Sequence, residues 1–158
     1  MDISQRSEFS TDESDIICDT LAASDQRSLV LHLLYALDAF DYQVSLESIA
    51  DNFGRGFGVI ISKNSDVFQQ VHNINQEREQ LDTSVLPLLS NWRIERLGIC
   101  TRLILRLALW ELEYTSIDPI IIINEAIELA KCFAEKDAYK FVNGILDELI
   151  KQRPSKNA

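Results

Sequence analysis

The sequence is poor in the residues that build turns. Five glycines and three prolines in 158 residues are too few for the many tight corners of a β-sandwich, and point instead to long helices joined by short connections. No apolar run approaches the roughly 18 residues needed to cross a bilayer. No basic stretch followed by an apolar one marks a secretory leader at the N-terminus. The three cysteines, Cys18, Cys100 and Cys132, are odd in number and form no CxxC pair, so neither a disulfide framework nor a zinc site is expected, and a reducing cytoplasm is the simple setting. Positive charge is also scarce: 15 Lys and Arg stand against 25 Asp and Glu, for a net charge of −10. Residues 1–25 hold seven acids against Arg6 alone, which is −6 of that total. Such a chain repels phosphate backbones at long range, so composition by itself speaks against nucleic-acid binding.

Catalytic constellations are thin as well. Neither His32 nor His72 belongs to an HxxxH or HxxE pattern, and His32, inside an apolar helix, reads as a histidine at the edge of the core. The glycines of GRGFG (54–58) lack the GK[ST] tail and the preceding strand of a phosphate cradle, and read as a loop. Cys100 and Cys132 fall on apolar faces and read as small buried hydrophobes. No nucleophile, base and orienting group line up. An enzyme is not expected, and neither is a cofactor or a bound metal.

What is present is helical periodicity. With 46% hydrophobic and 25% charged residues, the chain reads as a soluble globular protein long enough for one domain or two small subdomains sharing a core. Residues 1–22 are acidic and Ser/Thr-rich and are expected to form a flexible extension; 23–152 form the helical domain and 153–158 a polar tail. A first helix is predicted from Ser24 as N-cap, with Val30, Leu33, Leu34 and Leu37 at helical spacing. Ser45 caps a short second helix that ends near 52–58. A further helical run starts near Ser65, with Val67, Val71 and Ile74 on one stripe and a break at Pro87. In the segment 91–114 the apolar residues Leu97, Cys100, Leu103, Ile104, Leu107, Ala108 and Leu112 cover most of the circumference, which fits a monomer's central helix or a dimer surface. Asp118-Pro119 is a helix start, followed by a core face of Ile123, Ala126, Ile127, Ala130 and Phe133. The fold class is all-α.

The last helix, starting near Asp137, contains KFVNGILDEL (140–149). Phe141, Ile145 and Leu149 make an apolar stripe, yet Asn143 and Gly144 sit in its middle, where Gly costs about 1 kcal/mol relative to Ala. Lys140, Asn143 and Asp147 share a different face. Two readings of Gly144 stand open: tight helix–helix packing, or the close approach of a partner.

These residues also carry a resemblance. INEAIELAKCFAEKDAYKFVNGILDEL resembles the C-terminal signature of the NusB-type transcription antitermination factors. NWRIERLGICTRLILRLALWELEY resembles the segment before it, and Leu33-Leu34-Tyr35 the family's first helix, so that the likeness covers about residues 24–152. It implies about seven helices in two small bundles packed at an angle, without catalytic activity. It further implies binding of the boxA segment of ribosomal RNA leader transcripts together with ribosomal protein S10, in a complex with RNA polymerase and other Nus factors, and no direct contact with DNA or membrane. A similar domain precedes rRNA cytosine methyltransferases, but this chain ends about ten residues after the motif, so that enzyme is not expected. Carried over residue by residue, the resemblance places Arg27, Asp137, Lys140, Phe141, Asn143 and Gly144 at the RNA surface. Asn143 would bond a base edge or a phosphate and Lys140 would neutralise a phosphate. Phe141 would either stack on a base or belong to the core. Where the family carries several arginines before the first helix, this chain has LAASDQR, with Arg27 alone matching; weak RNA binding without S10 follows. Thr101 stands where the family often has an acid, and is expected to bond locally. The alternative function is a helical adaptor that binds protein partners only.

Overall fold

The computed structural model describes residues 15–89 and 93–153. Among these lie seven α-helices: α1 (Ala23–Ala39), α2 (Leu46–Phe57), α3 (Asp66–Gln76), α4 (Arg78–Val85), α5 (Ile99–Tyr114), α6 (Pro119–Phe133) and α7 (Ala138–Gln152). Helices α1–α4 form one small bundle and α5–α7 a second, joined where α1 and α4 pack on α5. Val30, Leu33, Val71 and Ile74 from the first, and Ile104, Val142 and Leu146 from the second, lose essentially all solvent contact in one continuous core. The fold class is as expected. The wide apolar face of α5 is covered within the chain: Leu103, Ile104, Leu107, Ala108 and Leu112 are all buried.

Helix starts follow the sequence at three places. The Ser45 hydroxyl accepts from the Ser48 N–H, the Ser65 hydroxyl from the Phe68 N–H, and the Asp118 carboxylate from the Ile120 N–H at 2.9 Å, with Pro119 in the first turn. Each satisfies a donor that the helix itself leaves unpaired.

Elsewhere the chain departs from expectation. Ser24 is not the cap of α1; that position is Ala22, and the Ser24 hydroxyl instead donates to Glu125 on α6 at 3.0 Å. Part of the predicted flexible extension is docked. Ile16–Ile17 (β1) pairs in parallel with Val59–Ile60 (β2), Cys18 is fully buried, and the Asp19 carboxylate accepts from the Asp66 and Val67 N–H groups at 2.9 and 3.3 Å. An acid at that helix start is favoured by the helix dipole as well as by its hydrogen bonds. Residues 1–14 and 154–158 fall outside the described residues.

The glycines of 54–58 do not form a loop. Helix α2 continues through Gly54 and Gly56, and Gly58 ends it in the left-handed region at φ 66°. Gly54 is tolerated inside the helix because the Val59 carbonyl occupies the place its Cβ would take. The run after Ser65 splits at Glu77 into α3 and α4, next to Asn73 and Asn75, which hold a helix poorly. Helix α5 begins only at Ile99, after a 3₁₀ turn at Ile94–Arg96. On α6 the buried face is Ile122, Ala126, Leu129 and Ala130; Ile123 and Ile127 are half-buried and Phe133 is 41% exposed. The helix serves both α5 and α7, which turns its covered face by about one residue.

Two charged side chains are built into this framework. Arg106 on α5 makes a two-bond pair with Asp82 on α4, 2.7 Å each, and donates to the Tyr42 hydroxyl at 3.2 Å. Burial works against its charge, but Asp82 and Tyr42 outweigh burial and hold the proton more firmly than usual. Arg27 on α1 pairs in the same manner with Glu111 on α5.

Candidate nucleic-acid interface

The N-terminus of α7 is the place where the sequence put most of the site. The turn from α6 reaches it through Asp137, whose backbone lies in the left-handed region at φ 67°; Asp is one of the few non-glycine residues that adopts this readily. The Lys140 N–H then bonds the Asp137 carbonyl at 3.1 Å. Helix α7 buries Val142, Ile145, Leu146 and Leu149, so the opposite side carries Lys140, Asn143, Gly144 and Asp147 into solvent.

Of the two readings of Gly144, helix packing is excluded. A Cβ built there meets nothing within 4 Å. The carboxamide of Asn143 makes no hydrogen bond among the described residues and is exposed. Lys140 is 66% exposed, and its ammonium is 3.6 Å from an Asp137 carboxylate oxygen. Such surface pairs contribute about 0–1 kcal/mol and exchange readily for another anion. Phe141 is half-buried and packs on the core.

Residues that the sequence reading passed over complete the surface. Lys131 on α6 places its ammonium 5.1 Å from the centre of the Tyr139 ring, and Lys140 lies 5.9 Å from the same ring. Lys136 in the turn is exposed. Three lysines within ten residues stand here beside Glu135 and Asp137, and Lys131 also lies 3.7 Å from Glu128, a concentration of lysine in an acidic chain. That density was readable in AKCFAEKDAYK.

Glu135 is not an ordinary surface acid. Its carboxylate lies over Gly98, where any Cβ would collide with it, and accepts from the Thr101 hydroxyl at 2.8 Å. Thr101 is buried and, instead of bonding within its own turn as expected, reaches Glu135, 34 residues on; the turn that carries Lys136 and Asp137 is thereby pinned to the first turn of α5. A carboxylate at that place also complements the helix dipole.

Arg27 is not brought to this surface. It is 9% exposed, with Nε 3.1 Å from both Glu111 carboxylate oxygens and Nη2 2.9 Å from one of them. Turning it outward would strand Glu111 in the interior, which opposes a role as an exposed phosphate contact. The pair lies in the wall of a groove of about 370 Å³ between α1, α3 and α5 that no α7 residue lines.

The remaining candidates for chemistry are accounted for. His32 is at the surface, with Nδ1 2.6 Å from the Ser28 carbonyl. Burial pushes the Cys18 and Cys100 thiols above their usual range, away from nucleophilic character. Cys132 is exposed, contrary to expectation, because it faces away from α5 and α7. Among the described residues no group of three or more His, Cys, Asp or Glu side chains is arranged to hold a metal ion, and no helix is long and apolar enough to cross a membrane.

The chain matches the model of the NusB family over residues 24–151. It is 34% identical to the transcription antitermination protein NusB of Macrococcus caseolyticus over 135 residues, 84% of this chain and 99% of that protein. To the protein of the same name from Bacillus subtilis it is 37% identical over 110 residues, 68% and 84% of the two chains. Among solved structures, T. maritima NusB superposes with a TM-score of 0.72 at 28% identity, over 87% of this chain and 96% of that one. NusB from Aquifex aeolicus, at 24% identity, shares the fold with a TM-score of 0.63.

Proposed function

The chain belongs to the NusB family, and from that premise we propose that it is a transcription antitermination factor. In this reading it is a cytoplasmic, non-catalytic protein that binds the boxA segment of rRNA leader transcripts together with ribosomal protein S10. It thereby joins the complex of RNA polymerase and other Nus factors. The observation that supports this most is the surface at the start of α7: Asn143 and Gly144 are exposed and unpacked, in the middle of a helix that would be more stable without them. Lys131, Lys136 and Lys140 supply phosphate contacts around them, and the Asn143 carboxamide offers a donor and an acceptor to an unstacked base.

With Arg27 held by Glu111 and Asp25 beside it, the start of α1 adds no exposed arginine. RNA affinity of the protein alone is therefore expected to be weak at physiological salt, with S10 supplying much of the positive charge. The test is fluorescence anisotropy of a labelled boxA RNA, with and without S10, against a scrambled RNA and at two salt concentrations. Selective binding that appears mainly with S10 supports the reading; tight selective binding without S10 overturns its division of charge. The burial of Arg27 favours a second reading, an adaptor for protein partners only. Binding of S10 with no RNA bound under any condition would establish that one.

A further inference from the structure

The ring of Tyr139 draws together two lysines from two helices. Tyr139 lies in the first turn of α7, half-buried and packed on the core. The Lys131 ammonium, from the last turn of α6, stands 5.1 Å from the ring centre, and the Lys140 ammonium of α7 stands 5.9 Å from it. Both are inside the roughly 6 Å over which an aromatic face attracts a cation. The fold gains little from the arrangement. Like charges repel, and a lysine in a first helical turn faces the positive end of the helix dipole. Each ammonium also has a carboxylate near it, Glu128 for Lys131 at 3.7 Å and Asp137 for Lys140 at 3.6 Å. All four of these side chains are about half exposed or more, and both separations are longer than a hydrogen bond.

We infer that Tyr139 is a positioning residue for RNA: its ring gathers one lysine from each helix into a two-cation seat for the phosphates of a single strand crossing the start of α7. This rests on the RNA-binding reading above and deepens it. The chemistry of the holder is the first reason. A carboxylate placed between the two lysines would cancel their charge and occupy their N–H groups. An aromatic face attracts ammoniums while carrying no net charge and offering no lone pair at its face, so the donors stay free for phosphate oxygens and the positive charge is kept. Pre-organisation is the second. A long lysine side chain loses rotamer freedom when it is fixed on a ligand, and a lysine already drawn to a ring loses less of it on binding. Register is the third. Asn143 lies four residues beyond Tyr139, one turn along the same side of α7, so a strand whose phosphates sit at the ring has its next bases at the exposed Asn143 carboxamide. Lys136, in the turn, has no ring contact among the described residues and belongs outside the seat.

The experiment uses the full chain with S10 and a labelled boxA RNA, titrated at several salt concentrations, with a urea melt of every variant. Tyr139→Leu and Tyr139→Met remove the ring and keep apolar bulk against the core, so that one serves if the other melts early. Either should lose roughly fivefold in RNA affinity. Tyr139→Phe keeps the ring face and should bind as the wild type does. Removing Lys131 and Lys140 together should lower the slope of log affinity against log salt by about 1.4, two phosphates' share for a single strand. In that background Tyr139→Leu should cost nothing further, because the groups it positions are gone, whereas in Lys136→Ala it should keep its full fivefold cost. A fivefold cost that persists without the two lysines would make Tyr139 a structural residue only and overturn the inference. So would a loss in Tyr139→Phe as large as in Tyr139→Leu, which would assign the effect to the hydroxyl. A drop in affinity and slope on removing the lysines, with no effect of Tyr139→Leu or Tyr139→Met, would also overturn it and leave the α7 reading intact. If the lysine pair can be removed with affinity and slope unchanged, the α7 reading fails and the seat falls with it.

Discussion

Two helix starts that the family resemblance assigns to one RNA surface hold their cations in opposite ways. At α1, Arg27 is drawn inward and makes three hydrogen bonds to Glu111, with about a tenth of its side chain exposed. At α7, Lys140 stands in solvent beside a loosely held Asp137. The difference follows from what each partner can do. Glu111 lies on the central helix, where an unpaired carboxylate would be severely destabilising, so it requires a planar, permanently charged partner that can bond both of its oxygens. Asp137 is hydrated whether or not Lys140 is near it. One cation belongs to the fold, and the other is available to a ligand.

The comparison is broken most visibly by removing each cation in turn. Arg27→Ala leaves Glu111 buried and alone and is expected to destabilise the protein by about 3–5 kcal/mol in a urea melt. Lys140→Ala should leave the same melt within about 0.5 kcal/mol. If Arg27→Ala melted like the wild type and instead lost RNA affinity selectively, the inward assignment of Arg27 would be wrong.

Between these extremes lies the pin on the α6–α7 turn. Glu135→Ala removes the acceptor of the buried Thr101 hydroxyl, at a cost of about 1–3 kcal/mol, and frees the turn that presents Lys136 and Asp137. RNA affinity should fall with no change in the salt slope, because no phosphate contact is lost. Glu135→Gln keeps an acceptor for Thr101 and should restore most of both. A smaller and purely electrostatic effect is expected from Lys140→Ala in the RNA titration: the slope of log affinity against log salt should fall by about 0.7, one phosphate's share for a single strand. An unchanged slope would remove Lys140 from the interface.

The helices were legible because their signals are local. Ser45, Ser65 and Asp118 announce caps, and Val67, Val71 and Ile74 keep a period that only one face can satisfy. The α7 surface was legible for a related reason, since Asn143 and Gly144 break a helical pattern that the rest of the segment keeps. What escaped depends on partners distant in sequence. Nothing near Arg27 reveals Glu111, 84 residues away, and nothing in GRGFG shows that the Val59 carbonyl folds back onto Gly54. The docking of residues 15–22 was hidden by their composition: Asp19 contributes to an acidic stretch, yet its carboxylate accepts from the first two N–H groups of α3, beside the Ser65 cap.

Gly144 gives the finest test of the contrast between a residue kept for the fold and one kept for a ligand. It sits inside α7 with open space where a Cβ would go, so Gly144→Ala introduces no clash and restores helix propensity. The variant should be more stable by about 0.5–1 kcal/mol, a small rise in the midpoint of a thermal or urea melt. If the glycine is retained because RNA backbone comes close to the helix there, the added methyl group should weaken boxA binding in the presence of S10 while S10 binding itself stays unchanged. A protein that gains stability and loses RNA would show the glycine to be kept for the ligand. One that gains stability and binds RNA as before would leave Asn143 and the lysines as the interface and Gly144 outside it.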